Sequence, residues 1–233
     1  KTPQSFKSIA ICVLGRQIYT LLSQFKKWIL MSKLEHKLQR IESRLIKKAQ
    51  KELLRLTGEN ITSWPRDIPV FLTPNINDRK CIRWCKERNP DLLLVFGTSI
   101  LRSPMICLSR LGVLNVHTSL LPEYRGIFSE FWQVLHGRFD RSGVTIHFID
   151  DRVDTGDIIL QRKNEVSSHV DPYILRVQNI VITIEILPSA AELVLKGEAI
   201  RRNQGKSLTQ TFRSKDITLE KRTELLRKLG YRL

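Results

Sequence analysis

The feature that most constrains the fold is the stretch from Gly112 to Arg162, where polar side chains interrupt strand-like apolar segments. Val113–His117 is a short apolar run that carries Asn115 and His117. Side chains two residues apart in a strand point to the same face of the sheet. We therefore expect Asn115 and His117 to lie side by side.

A short acidic loop, residues 150–156, separates two further predicted strands, GVTIHF before it and DIILQR after it. The loop carries Asp154 and ends at Gly156. An amide, an imidazole and a carboxylate that converge at strand ends form a common kind of polar site in α/β domains. Each of these residues alone has a structural explanation, such as an Asx turn for Asp154.

The block N-x-H-x-S-L-L-P-x-Y-R-G at residues 115–126, followed by GVTIHFID and D-T-G-D-I-I-L-Q, resembles the formyltransferase family. Two blocks at one separation are more specific than a single short motif. The resemblance extends more loosely from about Pro90 to about Lys206. It implies transfer of the formyl group of 10-formyltetrahydrofolate to an amine, with Asn115, His117 and Asp154 as the catalytic residues.

The resemblance and the strand ends also suggest where the substrates bind. Ligands of open α/β sheets bind in the crevice beyond the carboxyl ends of the strands. We expect the folate to lie between the loop after residues 92–96 and the acidic loop. The residues predicted to contact the folate are Phe96, Gly97, Thr98, Ile100, Asp150, Val153 and Gly156. Those predicted to contact the acceptor are Ser119, Tyr124, Arg125 and Gly126.

Formylation of an amine passes through a tetrahedral intermediate that bears an oxyanion, and three roles follow for the predicted residues. Asn115 can donate an N–H to the oxyanion, and His117 can move a proton because its reference pKa is about 6.5. Asp154 can orient His117 or position a water. The chemistry requires no covalent nucleophile. The resemblance implies a reaction without a metal, so we interpret Asp150, Asp151 and Asp157 as solvated loop residues.

The pattern predicts an α/β fold, a mostly parallel twisted sheet of six or seven strands flanked by helices, of Rossmann type but without the G-x-G-x-x-G dinucleotide fingerprint. Residues 8–14 predict the first strand, and residues 67–72 predict a short strand. Asp171 is expected to cap a long helix that Pro188 interrupts. Residues 1–206 are expected to form the catalytic domain, and residues 207–233 a basic tail on the surface.

An enlarged helical hairpin is predicted at residues 16–58, within which residues 31–56 form one long amphipathic helix with a basic outer face. The apolar side of this helix has to be covered. The sheet of the same chain, a second subunit in a homodimer and an anionic membrane surface are the alternatives at this stage.

The formal net charge of +16 indicates an anionic partner or a solvated basic surface. The four cysteines form no recognisable disulfide or zinc pattern, which is typical of a cytoplasmic protein. We expect a cytoplasmic location, either free or peripheral to the inner face of the membrane. Nucleic acid ranks below a small-molecule acceptor among the expected partners.

The aromatic-rich segment Y-R-G-I-F-S-E-F-W-Q-V-L-H-G is similar to that of the sugar N-formyltransferases. It suggests as acceptor an amino sugar, nucleotide-linked, in surface polysaccharide synthesis. A methionyl-tRNA formyltransferase would carry a further C-terminal β-barrel, and residues 207–233 are too few for one. A formyltetrahydrofolate deformylase and an inactive basic binding module on the same fold are the remaining alternatives.

Overall fold

A mixed sheet forms the centre of the computed structural model, which describes residues 11–13, 33–58, 67–166 and 170–233. Its strands are β1 (Ile11–Val13), β2 (Leu93–Phe96), β3 (Val113–His117), β4 (Gly143–Phe148) and β5 (Ile158–Lys163). They lie in the sheet in chain order. The pairs β1–β2 and β2–β3 are parallel, whereas β3–β4 and β4–β5 are antiparallel. Only β4 therefore runs against the others, which confirms a mostly parallel sheet.

The described strands number five, against an expectation of six or seven for the whole chain. The predicted antiparallel pair, GVTIHF with DIILQR, forms β4 and β5. Residues 67–72 were wrongly predicted as a strand, since no strand of the described chain pairs with them. The ring of Phe71 instead contacts that of Trp84 in a tilted arrangement, with 5.6 Å between the centroids, and Leu72 is 81% exposed.

Helices cover the sheet, and side-chain caps fix where several of them begin. They are α1 (Lys33–Thr57), α2 (Arg79–Lys86), α3 (Ser103–Ile106), α4 (Ser129–His136), α5 (Pro172–Lys196) and α6 (Leu219–Lys228). Asp78 caps α2 by accepting from the Lys80 N–H, and Asp171 caps α5 by accepting from the N–H groups of Tyr173 and Ile174. The predicted cap at Asp171 is confirmed.

The two faces of β3 have different partners. Leu114 and Val116 pack with Ala190 and Ala191 of α5 on one face of the sheet. Val113 packs on the other face, in the cluster that contains residues of α2 and α3. Because side chains alternate along a strand, Asn115 and His117 share the face of Val113.

Helix α1 is a single amphipathic helix of 25 residues, as predicted for residues 31–56. Its buried side chains Leu38, Ile41 and Leu45 pack against Leu226 of α6, with Tyr173 of α5 beside them. The central part of the apolar side is thus covered within the chain itself, whereas Leu34 near its start is 37% exposed. The first half of the predicted hairpin, residues 16–32, and most of the strand predicted at residues 8–14 lie outside the described residues.

The C-terminal residues pack into the fold, so the prediction that they lie on the surface was wrong for their apolar side chains. Phe212, Leu225 and Leu226 are each less than 5% exposed. Phe212 forms a bridge to Gly126 and stacks on Trp132 at 4.3 Å. Burial of three large side chains explains why this segment is held against α4.

Helix α5 continues through Pro188, which was predicted to interrupt it. By length and composition alone, α5 could cross a membrane, with a mean hydropathy of 1.4 in its most apolar part, of which 33% is buried. Its Asn179 is fully buried and accepts from the Asn164 side chain at 3.0 Å. These contacts place α5 as a core helix of this fold.

Candidate active site

Asn115 and His117 of β3 meet Asp154 of the β4–β5 loop around one carboxylate. Asp154 Oδ1 accepts from Asn115 Nδ2 at 3.2 Å. Asp154 Oδ2 lies 3.5 Å from His117 Nδ1 and accepts from the backbone N–H of Gly126 at 2.8 Å. The structure therefore brings together the residues that the strand spacing and the loop predicted, and their catalytic roles stay predictions.

His147 of β4 belongs to the same cluster, although the sequence analysis gave it no role. Its Nε2 lies 3.2 Å from Asn115 Nδ2 and 3.6 Å from Asp154 Oδ1. The β3–β4 register pairs Asn115 with His147 directly, so their side chains share one face. This pairing depends on the register between two strands, which the spacing within either strand does not reveal.

The neighbours of the two imidazoles indicate where their protons lie. A carbonyl only accepts, so His117 Nε2 donates to the Tyr124 carbonyl at 2.8 Å and its Nδ1 faces Asp154. His147 Nδ1 donates to the Phe148 carbonyl at 2.7 Å, which leaves Nε2 to accept from Asn115. Asn115 Nδ2 thus serves two protein acceptors, and donation to an oxyanion requires it to release one of them.

Asp154 is held ionised by its surroundings. Its side chain is 12% exposed, and burial acts to raise its pKa. The nearby imidazoles of His117 and His147 and the hydrogen bond from the Gly126 N–H oppose burial, and together they set the pKa of Asp154 well below its usual range. A permanent anion therefore lies between two groups that can carry a proton.

The loop that carries Asp154 is tied down by side chains from elsewhere in the chain. Asp154 adopts a left-handed backbone conformation, with φ of 52°. Its carbonyl accepts from Arg125 Nε at 3.1 Å and from Gln204 Nε2 at 3.0 Å, and Gln204 also donates to the Gly156 carbonyl at 2.7 Å. Sequence reasoning missed Gln204, which lies about 50 residues from the loop with no local motif around it.

Comparison with known proteins assigns the chain to a family. A sequence model of the family described as Formyl transferase matches residues 17–178, more than half of the chain. The chain belongs to the formyl transferase family. The resemblance drawn from the N-x-H block is thereby confirmed at the level of the family.

The similar curated proteins of this family include two methionyl-tRNA formyltransferases. The protein from Syntrophus aciditrophicus is 36% identical over 144 residues, which cover 61% of this chain and 46% of that protein. The protein from Clostridioides difficile is 34% identical over 140 residues, which cover 59% of this chain and 45% of that protein. The chain thus spans about half the length of these relatives.

Solved structures of the formyl transferase family share the fold. The formyltransferase PseJ from Anoxybacillus kamchatkensis, solved with UDP-4,6-dideoxy-4-formamido-L-AltNAc and tetrahydrofolate, matches with a TM-score of 0.55 and 22% identity, covering 78% of this chain and 92% of that one. A sugar N-formyltransferase from Shewanella sp. FDAARGOS_354 matches with a TM-score of 0.55 and 16% identity, covering 79% and 83%. At these identities the likeness extends to the fold.

The formyl transferase residues predicted to contact folate lie on two loops. Phe96 is the last residue of β2, and Gly97, Thr98 and Ile100 follow it. Gly97 has a φ of 63°, and Ile100 is 76% exposed. In the acidic loop, Val153 is 40% exposed, and Asp150 accepts from the Thr155 hydroxyl at 2.7 Å. A side chain at Gly156 would meet the Phe148 carbonyl at 1.9 Å, so its glycine permits close backbone packing. Folate contact by these residues stays a prediction.

Two of the predicted acceptor contacts lie in the protein interior. Ser119 is fully buried and donates to the Glu123 carbonyl at 2.7 Å. Tyr124 is 2% exposed, and its hydroxyl lies 3.3 Å from His136 Nδ1. Neither side chain reaches solvent in this structure, so we restrict the proposed acceptor contacts to Arg125 and Gly126.

An ion pair between a buried glutamate and a partly buried arginine lies close to the end of β3. Glu130 of α4 is 1% exposed and accepts from Arg176 of α5 at 3.1 Å. Burial acts to raise the pKa of Glu130, but Arg176 outweighs it and keeps that pKa below its usual value. Ser129, next to Glu130, donates to the carbonyl of Thr118, the residue after His117. The Glu130–Arg176 pair joins α4 to α5, and Ser129 joins α4 to the end of β3. Among the described residues, no group of three or more His, Cys, Asp or Glu side chains could hold a metal.

Proposed function

We propose that this chain transfers a formyl group from 10-formyltetrahydrofolate to a primary amine. The observation that carries the proposal is the single carboxylate of Asp154, which lies within 3.6 Å of Asn115, His117 and His147. Membership of the formyl transferase family supports the same chemistry. The tetrahydrofolate in the structure of PseJ supports the choice of formyl donor.

The roles of the residues follow from the charge that develops during transfer. The amine attacks the formyl carbon of the folate to give a tetrahedral intermediate that bears an oxyanion, and the carbon–N10 bond breaks when this intermediate collapses. The proton lost by the amine must reach N10, and His117 Nδ1, the ring nitrogen that faces Asp154, can take it up and pass it on. Asp154 stabilises the protonated ring. Asn115 polarises the formyl oxygen once one of its N–H groups turns from His147 or Asp154.

The acceptor amine has two candidates, each with its own support. The sugar N-formyltransferase structures and the aromatic segment after Arg125 suggested a nucleotide-linked amino sugar. Trp132 of that segment is 3% exposed and stacks on Phe212, so its aromatic character serves the core. The second candidate, the amino group of an aminoacyl-tRNA, draws on the names of the curated relatives and on the net charge of +16. The names are those of relatives with 34–36% identity, and a basic chain suits an anionic acceptor, so we favour the tRNA.

An acceptor screen tests the proposal. Purified protein is incubated with 10-formyltetrahydrofolate and either methionyl-tRNA or UDP-linked and dTDP-linked amino sugars, and the formylated product is detected by mass. We expect product with methionyl-tRNA. Product with an amino sugar alone would replace the tRNA acceptor but keep the formyl transfer. Absence of product and of released tetrahydrofolate in every reaction would contradict the formyl transfer itself.

A further inference from the structure

Helix α1 presents a narrow line of positive charge that the proposed chemistry does not use. We define the basic stripe as Lys33, Lys37, Arg40, Arg44, Lys47 and Lys51, all of them exposed. At 3.6 residues per turn, spacings of three and four place these six side chains within about 80° of the helix circumference. At 1.5 Å per residue the stripe extends for about 27 Å.

The charges of the stripe are not neutralised by neighbouring side chains in the described part of the chain. The ion pairs that involve α1 there are Lys48 with Asp171, Arg55 with Glu52, and Glu42 with Arg222. None of the six stripe residues takes part in them. A row of like charges on one helix face is unfavourable unless solvent or a partner screens it, so the stripe is suited to a polyanion.

The way α1 packs decides which polyanion fits. Amphipathic helices bind lipid surfaces by burying their apolar face in the headgroup region. The apolar side of α1, with Leu38, Ile41 and Leu45, is buried against α6 and is not free to insert. It lies about 120° around the helix from the centre of the stripe. The surface that stays available to a partner is the stripe, whose residues follow one another about every 4.5–6 Å along the helix axis. This regular spacing suits a regular line of phosphates.

We propose that the basic stripe binds the phosphodiester backbone of RNA. The proposal extends the favoured tRNA acceptor, on which it rests for the identity of the RNA. The stripe is connected to the candidate active site through α5. Lys48, beside the stripe, lies 4.0 Å from Asp171 at the start of α5, and Arg176 in the second turn of α5 pairs with Glu130 under the end of β3.

A binding measurement with a charge-matched control tests the proposal. The probe is a fluorescein-labelled tRNA transcript, followed by anisotropy from 50 to 300 mM salt. The stripe variant is Lys37→Glu/Arg44→Glu/Lys51→Glu. The control is Lys80→Glu/Arg83→Glu/Lys86→Glu, which changes three exposed cations of α2 and lowers the net charge equally. Circular dichroism melting establishes that both variants are folded.

We expect the stripe variant to bind the transcript at least about tenfold more weakly at 100 mM salt, with the slope of log Kd against log salt reduced by about 2, because three phosphate contacts are lost. The control should change affinity by less than about threefold. Equal losses in both variants, or no loss in the stripe variant, would overturn the proposal. Binding of the wild-type protein to phosphatidylglycerol vesicles but not to the transcript would also overturn it and assign the stripe to a membrane surface.

The release of tetrahydrofolate with a small amine as acceptor separates this inference from the proposed function. Neither variant changes a residue near Asp154, so both should retain the wild-type rate with that acceptor. Loss of RNA binding with this rate unchanged supports the stripe. A wild-type protein that binds the transcript through the stripe yet transfers no formyl group would contradict the proposed function and leave the stripe intact.

Discussion

Asp154 organises the candidate site because one buried anion fixes the positions of an amide and two imidazoles. The sequence predicted Asn115, His117 and Asp154 as a group, since a spacing of two sets the face of a strand. It did not predict His147 or Gln204. Their positions depend on the β3–β4 register and on a contact between residues far apart in the chain.

The low pKa of Asp154 predicts a specific dependence of stability on pH. Its stabilising effect as an anion is fully present above the pKa of an unfolded aspartate, about 3.9, and is lost as the pH falls through the lower folded pKa. In urea unfolding, the wild type should therefore lose unfolding free energy relative to Asp154→Asn as the pH falls below about 4. Asp151→Asn, whose side chain is 92% exposed, is the control and should track the wild type. A difference for Asp154→Asn that stays constant down to pH 2 would contradict the assigned environment.

His147 is expected to assist the reaction by orienting Asn115. His147→Leu removes the Nε2 acceptor at 3.2 Å, whereas Asp154 still holds the amide. We expect kcat for formyl transfer to fall about tenfold, the equivalent of one hydrogen bond of roughly 1.4 kcal/mol, with the folate KM nearly unchanged. His36→Leu, at an exposed histidine of α1 outside the cluster, should retain kcat. Similar losses in both variants would indicate that the effect is only structural.

At the scale of the elements, helices with clear caps and strands with continuous apolar runs were predictable. Asp171 caps a helix where the sequence placed the cap. Residues 67–72 have the composition of a strand, but the ring of Phe71 packs against the ring of Trp84. Pro188 lies inside α5, because the packing of a long helix can outweigh the loss of one backbone hydrogen bond.

The turn after β3 requires glycine at position 126. Gly126 has a φ of 97°, and a Cβ there would lie 2.0 Å from the Phe212 carbonyl oxygen. Gly126→Ala should cost about 3 kcal/mol or more of unfolding free energy and displace the N–H that Asp154 accepts. Gly137→Ala, at φ of 68° with open space around it, should cost only about 1 kcal/mol. Chemical denaturation compares the unfolding free energies of the two variants. Equal losses would show that the backbone at Phe212 moves away to accommodate the added methyl group.

At the scale of the whole molecule, the segment after residue 206 packs against both α4 and α1. We predicted a separate tail because the segment is mostly polar. Overall polarity does not reveal that its few apolar side chains are buried. Leu225 contributes to the cluster around Trp132, and Leu226 to the cluster around α1. The segment therefore joins two parts of the core.

Leu226 tests whether this segment is part of the core. Leu226→Ala empties a site that is 1% exposed and should cost about 2–5 kcal/mol in denaturant unfolding. Leu208→Ala, at a side chain that is 85% exposed, should stay within about 0.5 kcal/mol of the wild type. A Leu226→Ala protein as stable as Leu208→Ala would mean that the segment is not docked on the domain in solution.

The central claim is that Asp154, with Asn115 and His117, carries formyl transfer. The most direct measurement is the single-turnover rate of tetrahydrofolate release from 10-formyltetrahydrofolate in the presence of the acceptor. It is compared in wild type, Asp154→Asn and Asp151→Asn. We predict a fall of about 10²–10³ for Asp154→Asn, in the range found for lost polar groups that stabilise a transition state, and a rate within about twofold of wild type for Asp151→Asn. An Asp154→Asn protein that transfers formyl at the wild-type rate would contradict the account.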